Sequence, residues 1–404
     1  MPASARFVTT ADPPPVTTGA ARLSQDVTLV GVERFGLLTN FTGTMPGLER
    51  NVDALLSAGL NVTALFGPEH GLRGSGQAGE TEDANRDDAT GLPLFETYLR
   101  SGPDLDELLD SSNVTALVFD MQDIGVRYYT YIWTMYDAML SAARTGRRFV
   151  VLDRPNPMGG LVTAGPSLNP RFASFVGRVD VPLRTGLTAG ELAGLFNDRH
   201  LPSTVGHHVD LQVVTMNGWE RSSLFDDTGL CWVAPSPNMP TLDTVFAFCA
   251  MGLIEGTNVS EGRGTTRPFE YLGAPWVDGR LVEMLRELAL PGVAFRDIWF
   301  TPSFHKYAGQ AVRGVQLHIT DRHLFDPVAC GVFVVWAFAT LYPDDFTFLA
   351  TGAGRDPGEL GHPIDRLWGS DSLRRTVAGG FDPLALLQVP GSPEGAYGAS
   401  TLLY

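Results

Sequence analysis

The chain has 404 residues, of which 44% are hydrophobic and 18% are charged, a composition that can bury two separate cores. Its formal net charge of −16 argues against binding to nucleic acid or to an anionic membrane surface, because each of those partners needs a basic face on the protein. The three cysteines, Cys231, Cys249 and Cys330, lack the close spacing of a zinc or redox motif, and their odd number argues against a disulfide framework.

Residues 1–22 are rich in proline and threonine, and we expect them to form a flexible leader. They contain no apolar segment of the length that a secretory signal needs, and no run in the chain approaches a membrane span. The sequence therefore suggests a cytoplasmic protein without a membrane partner.

From Phe35 onward, short apolar segments alternate with amphipathic helices. The segments are rich in β-favouring residues, too short for helices, and without the polar alternation of a half-exposed strand. Strands buried on both faces of a parallel sheet have this appearance. The predicted strands are 35–40, 61–66, 114–120 and 148–153, and the helices between them are 48–58, 105–109 and 131–143. This alternation predicts an α/β fold with an open parallel sheet and right-handed crossovers.

A turn-rich segment, APSPNMPT at 234–241, marks the predicted boundary between two domains, 23–240 and 241–404. Before it, the pattern predicts a helix at 188–197 and a strand at 209–214. After it, we predict a smaller mixed α/β domain. Its strands are 293–300 and 312–319, and its helices are 242–253, 280–288, 327–341 and 364–378.

Polar residues follow each predicted strand of the first domain at its carboxyl end. They are Asn40, Glu69 with His70, Asp120 to Arg127, and Asp153 with Arg154. In open parallel sheets, ligands bind outside the carboxyl ends of the strands, so these side chains should meet in one cleft although they are far apart in the chain. This convergence predicts a functional site.

The segment LFGPEHGLRGSGQAGE, residues 65–80, places a carboxylic acid and an imidazole on a short ledge between Pro68 and Gly71. Glycine lets the backbone approach a ligand and proline stiffens it, which suits Glu69 to acid/base chemistry on a sugar. A glutamate in a surface loop can instead be merely solvated. If the second domain covers this loop, desolvation raises the pKa of Glu69 and keeps it protonated near neutral pH, as a general acid must be.

GSGQAG at 74–79 matches the dinucleotide-binding fingerprint, but its surroundings do not. That motif needs a strand directly before it and a helix with an apolar face directly after it. Here the predicted strand ends at residue 66, and the following ETEDANRDDATG has no apolar face. We therefore interpret the segment as a mobile loop or lid over the cleft, and we expect no nucleotide cofactor.

FDMQDIGVRYYTYIW at 119–133 gathers Asp120, Asp123, Arg127 and several tyrosines into one strand-to-helix loop. An aspartate–arginine pair could brace this loop, but it would account for only one of the carboxylates. Tyrosine rings stack on the apolar faces of sugars and offer hydroxyl groups to their edges, so we favour a binding wall.

Asp153 and Arg154 allow two interpretations. They could form a structural salt bridge at the sharp turn before PNPMGG. The planar guanidinium of Arg154 could instead bind a carboxylate of the substrate. The sequence does not decide between them.

EGTNVSEGRGTTRPFEYLG at 255–273 holds glutamates and arginines between glycines and hydroxyl residues. A solvated loop would explain this composition, but such a density of hydrogen-bonding groups at the start of the second domain fits the opposite wall of the cleft. His207, His208 and His318 lack the spacing of metal ligands, so we expect structural histidines and no metal site.

Several motifs, taken together, resemble those of one family. They are FGPEHGLRG, FDMQDIGVRYYTY, VLDRPNPMGG, APSPNMPT, EGTNVSEGRGTTRPFEYLGAP, VQLHITD and IDRLWGSDSLR. The family is NamZ, the exo-β-N-acetylmuramidases long catalogued as a domain of unknown function, and the likeness extends from about Gly36 to Arg374. It implies a Rossmann-like N-terminal domain that carries the catalytic centre, a smaller C-terminal α/β domain, and a cleft between them.

The resemblance also implies an activity. This is the release of β-1,4-linked N-acetylmuramic acid (MurNAc) from the non-reducing end of peptidoglycan fragments, as in cell-wall recycling. The glutamate of the PEHG motif is the implied catalytic residue, and it falls on Glu69. Glycoside hydrolysis commonly uses two carboxyl groups, about 5 Å apart for retention and roughly 6.5–9.5 Å apart for inversion. The second group is Asp120, Asp123 or Glu261, unless the acetamido group of the substrate takes that part.

The implied substrate, of the MurNAc–N-acetylglucosamine (MurNAc-GlcNAc) type, needs binding groups as well. Its lactyl carboxylate requires a cation, and the motifs offer Arg127, Arg154 and Arg263. The other residues predicted to contact the substrate are His70, Tyr129, Tyr131, Asn258 and Glu261. We expect neither a metal ion nor an organic cofactor, and the sequence gives no oligomeric state.

Two other functions remain open from the sequence. An esterase or amidase of wall fragments could use the same cleft, although the chain has no G-x-S-x-G nucleophile elbow and no clear metal triad. A non-catalytic sugar-binding protein with a hinge at 234–241 would also have two domains around a cleft.

Overall fold

The N-terminal half of the chain is built on one parallel sheet. The computed structural model describes residues 16–31, 33–77, 79–80, 84–350 and 361–404. The strands are β1 (Phe35–Thr39), β2 (Val62–Gly67), β3 (Leu94–Glu96), β4 (Ala116–Asp120), β5 (Arg148–Leu152) and β6 (Leu211–Val214). They are ordered β3-β2-β1-β4-β5-β6, and every neighbouring pair is parallel. This is the strand order of a doubly wound Rossmann fold, so the predicted fold class is confirmed.

Burial explains why the central strands form where the apolar segments predict them. Every residue of β1 and of β4 is buried, because helices cover both faces of a parallel sheet. The register aligns Thr39 of β1 with Asp120 of β4, so the loops after these strands leave the sheet side by side. The sequence prediction lacks β3, because its 3 residues at the sheet edge are too few to give an apolar pattern.

Helices cover the sheet. They are α1 (Gly19–Gln25), α2 (Asn51–Ser57), α3 (Pro103–Ser112), α4 (Tyr131–Arg144), α5 (Ala189–Leu195) and α6 (Leu201–Val205). A π-helical turn at Phe196–His200 joins α5 to α6, so the helix predicted at 188–197 extends further than its pattern indicated.

The start of the described chain corrects the predicted leader. Residues 1–15 lie outside the described residues, but Val16 is buried and α1 packs on β5 and β6. Thr18 caps α1 by accepting a hydrogen bond from the helix backbone at 3.3 Å. A Cβ on Gly19 would lie 2.4 Å from a carbonyl oxygen of β6, so small residues permit this close approach. Residues 16–22 therefore belong to the folded structure and not to a flexible leader.

The C-terminal half is organised around a small antiparallel sheet. Its strands are β7 (Tyr271–Ala274), β8 (Val293–Phe300) and β9 (Val312–Ile319), ordered β7-β9-β8. The helices are α7 (Leu242–Met251), α8 (Arg280–Glu287), α9 (Pro327–Leu341), α10 (Pro363–Trp368), α11 (Ser372–Ala378) and α12 (Pro393–Tyr397). The single helix predicted at 364–378 is divided into α10 and α11, because Gly369 ends α10 with a φ of 92°.

The two halves share one hydrophobic core. Tyr128 packs edge-on against Phe248 with ring centroids 5.1 Å apart, and its hydroxyl donates to the Phe248 carbonyl oxygen at 2.8 Å. The mixed α/β character of the second half is as predicted, whereas the division of the chain at residue 240 stays a prediction.

Among the described residues, no helix combines the length and the apolar character needed to cross a bilayer. The cytoplasmic location suggested by the sequence stays a prediction.

Candidate functional site

The carboxyl ends of β1 and β4 form the crevice where the strand order changes direction. From β1 the sheet continues through β2 to β3, and from β4 it continues on the other side through β5 to β6. Ligands of doubly wound sheets bind at such a switch point. The loops after β1, β2, β4 and β5 carry the predicted polar residues, so the fold brings these loops to one edge of the sheet.

Glu69 follows β2 at this edge, and both of its carboxyl oxygens are hydrogen-bonded. The residue is 8% exposed. Oε1 accepts a hydrogen bond from the Gly79 N–H at 2.8 Å, and Oε2 accepts one from the Thr130 hydroxyl at 2.7 Å. Tyr98 lies beside it, since burial and then the charge of Glu69 raise the pKa of Tyr98. A carboxyl group held in this way has a fixed direction, which proton transfer requires.

His70 holds the loop that follows Glu69. Its backbone φ of 73° is uncommon for a residue other than glycine, and its side chain is buried. Nδ1 lies 3.0 Å from the Gly76 carbonyl oxygen and 3.2 Å from that of Gln77, so it carries the proton and donates. The ring therefore ties residues 70–77 into a compact loop. Because Nδ1 is used in this way, it is not available for the contact with the substrate that the sequence predicts for His70.

GSGQAG lies in the same loop. The described chain resumes at residue 84, and no helix begins between residues 84 and 102. The helix that a dinucleotide fingerprint needs is therefore not found where the described chain continues after the motif. Ala78 and residues 81–83 lie outside the described residues, so a lid over the cleft stays a prediction.

Asp123 is a buried carboxyl group with one unpaired oxygen. Its Oδ2 accepts a hydrogen bond from the Gly125 N–H at 2.7 Å, while Oδ1 has no hydrogen-bond partner in the described part of the chain. Burial raises the pKa of Asp123 to about 7, although the N–H groups of Gly125 and Ile124 oppose the shift. This carboxyl group can therefore exchange a proton near neutral pH.

Tyr129 and Tyr131 lie near both carboxyl groups. Burial is the largest cause of the raised pKa of each tyrosine, and the charges of Glu69 and Asp123 add to it, so the two acids share one neighbourhood. Both hydroxyls donate to the Pro235 carbonyl oxygen, at 2.8 and 2.5 Å. The rings are at most 7% exposed, which leaves little surface for stacking on a sugar, and their contact with the substrate stays a prediction. They hold the APSPNMPT segment against the site instead.

Asp120 and Arg154, predicted as catalytic and substrate-binding, are bound to each other. Arg154 Nε lies 2.5 Å from Asp120 Oδ1, and Nη2 lies 3.0 Å from Oδ2. Asn51 also donates to Oδ2, at 2.8 Å, and the Asp120 side chain is fully buried. Both Asp120 oxygens are occupied, which favours a structural role, and its catalytic role stays a prediction. Arg154 forms the structural salt bridge, with Asp120 rather than the adjacent Asp153 as its partner.

Arg127 binds backbone carbonyl groups, and its contact with the substrate stays a prediction. Its Nη1 donates to the carbonyl oxygens of Pro166 and Val181 at 2.5 and 2.9 Å. Its Nη2 donates to those of Leu367 and Trp368, at the end of α10, at 3.0 and 2.7 Å. The side chain is fully buried, and burial lowers its pKa to about 10. Both Nη groups therefore bind the protein, while Nε has no hydrogen-bond partner in the described part of the chain.

Arg263 brings the C-terminal half next to Glu69. Its Nη2 donates to Glu255 Oε1 at 2.6 Å, and its Nε lies 3.5 Å from Glu261 Oε1. Burial would lower the pKa of Arg263, but the charges of Glu255, Glu261 and Glu69 outweigh burial and raise it. Two predicted site residues, Glu69 and Arg263, are thus close together although they belong to different halves of the chain.

Glu261 anchors a cluster of basic side chains. It is fully buried, with Lys306 Nζ 2.8 Å from Oε2 and His305 Nδ1 2.9 Å from Oε1. Burial opposes ionisation, yet His305 and Lys306 lower the pKa of Glu261 to about 2. Neither oxygen is free for a substrate or for catalysis. The sequence prediction lacks His305 and Lys306, although two consecutive basic residues in a turn-rich segment were a signal.

Asn258 does not reach the site either. Its Nδ2 donates to the Asp345 carbonyl oxygen at 2.8 Å, and its Oδ1 accepts from the Thr347 N–H at 2.9 Å. Both ends of the amide therefore bind backbone, and the contact of Asn258 with the substrate stays a prediction.

Glu69, Asp123 and Arg263 remain as the groups with chemistry to offer. Two carboxyl groups can transfer protons, and a guanidinium can bind an anion. Within the described ranges, no group of three histidine, cysteine, aspartate or glutamate side chains is placed to hold a metal ion.

Comparisons with known proteins agree with one another. Family models described as the N-terminal and C-terminal parts of the exo-β-N-acetylmuramidase NamZ match residues 35–243 and 246–397. The chain is 46% identical over 375 residues to the peptidoglycan β-N-acetylmuramidase NamZ of Bacillus subtilis (strain 168), which covers 92% of this chain and 86% of that protein. A crystal structure of a DUF1343 family protein from Bacteroides fragilis has a TM-score of 0.78 and 34% identity, over 89% of this chain and 90% of its own. A second such protein has a TM-score of 0.73 and 26% identity, over 96% and 99%.

Proposed function

The chain belongs to the NamZ family of exo-β-N-acetylmuramidases, and on that basis we propose that it is a glycoside hydrolase that releases MurNAc from the non-reducing end of peptidoglycan fragments. The observation that carries the proposal is the position of Glu69. It is a buried carboxyl group at the carboxyl end of β2, held by Thr130 and Gly79, with Arg263 of the other half of the chain nearby.

We assign Glu69 the part of acid/base. Glycoside hydrolysis needs a carboxyl group that protonates the departing oxygen and later takes a proton from water. The two hydrogen bonds of Glu69 fix its direction, and burial keeps bulk water from competing for the proton.

Asp123 is our choice for the second carboxyl group. Of the three candidates, Asp120 is bound by Arg154 and Asn51, and Glu261 is bound by Lys306. In the described part of the chain, Asp123 alone among these three has an oxygen with neither a hydrogen bond nor an ion pair, since Glu261 Oε1 is paired with His305. Its pKa of about 7 allows it to gain or lose a proton under ordinary conditions. In the reaction it serves the attacking water or the acetamido group of MurNAc.

Arg263 is our choice for the cation that binds the lactyl carboxylate. All three predicted arginines are already bound, Arg127 by backbone carbonyl groups, Arg154 by Asp120 and Arg263 by Glu255, so position has to separate them. Arg263 is within electrostatic range of Glu69, where the MurNAc residue must sit for its glycosidic oxygen to be protonated. A planar guanidinium matches the two oxygens of a carboxylate.

The experiment that tests the proposal is turnover of the disaccharide MurNAc-GlcNAc by the full chain and by Glu69→Gln. The full chain should release free MurNAc, detected by chromatography. The variant should keep its circular dichroism spectrum and lose about 100- to 10,000-fold of the rate, because it retains the shape of the side chain without its exchangeable proton. Binding of the disaccharide without release of MurNAc by the full chain would instead support a non-catalytic sugar-binding protein.

A further inference from the structure

A cleft of about 530 Å³ opens beside the Glu69 loop and is lined from both halves of the chain. The N-terminal half contributes Gln77 and Asn238, and the C-terminal half contributes Thr265, Thr266, Ser303 and Phe304. Its volume lies within the range of small-molecule sites, about 300–1,000 Å³. The cleft is separate from the ionic groups assigned above.

The lining of this cleft is uncharged. None of the described residues that line it is acidic or basic, although the neighbouring cluster of Glu261, Arg263 and Lys306 is strongly ionic. The lining offers amide and hydroxyl groups together with the aromatic ring of Phe304, which is 41% exposed. A neutral sugar meets both features, because its ring has an apolar face for an aromatic side chain and hydroxyl groups at its edge for amides and hydroxyls.

The cleft lies beside the loop that holds Glu69. The Gln77 carbonyl oxygen lies 3.2 Å from His70 Nδ1, and Gly79, two residues further, holds Glu69. Asn238 Nδ2 donates to Gln77 Oε1 at 3.4 Å. A ligand in the cleft is therefore adjacent to the carboxyl group that we assign as acid/base.

The backbone that carries Phe304 is held in place by its neighbours. The Ser303 N–H and hydroxyl both donate to the Gly264 carbonyl oxygen at 2.9 Å. Gly264 has a φ of 80°, and a Cβ there would lie 2.7 Å from the Phe304 backbone nitrogen, so this approach requires glycine. Because this backbone is held, only the side-chain torsions of Phe304 have to be ordered when a ligand binds, which favours a stacking platform.

We propose that this cleft binds the neutral N-acetylamino sugar on the reducing side of the bond that is cleaved, with Phe304 as the stacking platform. The inference rests on the proposed function. In a MurNAc-GlcNAc substrate the charged MurNAc lies beside Arg263, and the sugar that follows it carries no charge. A peptide stem, which carries carboxylate and ammonium groups, fits an uncharged lining poorly.

The test compares two substrates in the full chain, in Phe304→Ala and in Phe175→Ala. Phe175 is a matched control, because it is 42% exposed and does not line this cleft. The substrates are MurNAc-GlcNAc and methyl β-N-acetylmuraminide, which has no second sugar. In Phe304→Ala the ratio of kcat/KM for the disaccharide to that for the methyl glycoside should fall about tenfold, as expected for loss of one aromatic contact. Phe175→Ala should keep the ratio of the unaltered chain.

A second measurement detects binding without turnover. GlcNAc added to the full chain should give ligand-observed NMR saturation transfer that Phe304→Ala weakens and Phe175→Ala preserves. An unchanged substrate ratio in Phe304→Ala, or equal loss on both substrates, overturns the assignment of the cleft. Failure of the full chain to cleave either substrate is a different outcome, because it contradicts the proposed function itself.

Discussion

Asp120 and Arg154 form a two-bonded ion pair at the carboxyl end of the central sheet, with Nε–Oδ1 and Nη2–Oδ2 distances of 2.5 and 3.0 Å. Both side chains are buried. The pair joins Asp120, at the end of β4, to the loop after β5, and it occupies both Asp120 oxygens. A structural role for this pair can be tested.

Asp120→Ala should lower the free energy of unfolding by about 3–5 kcal/mol, because it leaves the Arg154 guanidinium buried without an anion. Urea unfolding followed by circular dichroism measures this. Asp53→Ala is the control, since Asp53 pairs with Arg50 at the surface, with side chains 41% and 39% exposed. That change should cost less than about 1 kcal/mol. An Asp120→Ala protein of undiminished stability and no activity would instead make Asp120 catalytic.

Thr130→Val should lower kcat/KM for MurNAc-GlcNAc by about 10- to 100-fold, since it removes the hydroxyl that donates to Glu69 Oε2. Thr130 precedes α4 but its side chain makes no capping hydrogen bond there, so loss of a helix cap does not explain such an effect. Thr130→Ser keeps the hydroxyl and should stay within a few-fold of the unaltered chain. Equal rates for the valine and serine variants would remove this hydrogen bond from the mechanism.

Asp123 should make stability depend on pH. Burial raises its pKa from 3.8 to about 7 in the folded chain, so the folded state binds this proton more tightly than the unfolded state does. Its contribution to stability is present below the unfolded pKa and is lost as the pH rises through about 7. Relative to Asp123→Asn, the unaltered chain should therefore lose stability between about pH 4 and pH 7. Above about pH 7 the difference in stability between the two proteins should stay constant.

Urea unfolding of both proteins across this pH range checks the sign. The same variant should lose the ionisation near neutral pH from the profile of kcat/KM, if Asp123 is the second carboxyl group. Parallel stability curves for the two proteins would show that the pKa of Asp123 is the same in the folded and the unfolded chain, which would contradict its titration near pH 7 in the fold.

Arg263→Ala should reduce the preference for MurNAc over GlcNAc at the non-reducing end by about 10- to 100-fold, because a hydrogen-bonded ion pair to the lactyl carboxylate is lost. The ratio of kcat/KM for MurNAc-GlcNAc and GlcNAc-GlcNAc measures this preference. Arg267→Ala serves as the control. Arg267 is 44% exposed and bonded to Glu270, so its loss should leave the ratio unchanged. A preserved ratio in Arg263→Ala would require another cation for the lactyl group.

The pattern of apolar residues along the sequence predicted the long strands of the fold correctly. β8 and β9 coincide with the predicted segments 293–300 and 312–319, since long strands carry enough residues to define a pattern. β7 has only 4 residues and was absent from the prediction for the same reason as β3. The predicted helix 364–378 continued through Gly369. The left-handed conformation of Gly369, which ends α10, depends on the packing around it and not on the local pattern.

The site was harder to predict than the fold. Strand order placed the loops of Glu69, Asp123 and Arg154 at one edge, but the residue types did not reveal what each side chain contacts. From the sequence, Arg127 is predicted to bind an anion. In the structure it instead donates hydrogen bonds to carbonyl oxygens more than two hundred positions away, at Leu367 and Trp368. Such long-range partners depend on the packing of two halves, which no local pattern encodes.

The hydrogen bonds from Tyr129 and Tyr131 to Pro235 bear on how the molecule can move. Pro235 lies in the 234–241 segment. This segment would have to bend if the two halves opened and closed around a ligand, as the halves of a solute-binding protein do. Tyr129 and Tyr131 are hydrogen-bonded to this segment, and Arg127, from the same loop, is hydrogen-bonded to the end of α10. A hinge motion of the two halves would therefore break buried contacts on both sides. The end of the glycan therefore enters a cleft whose width does not have to change on binding.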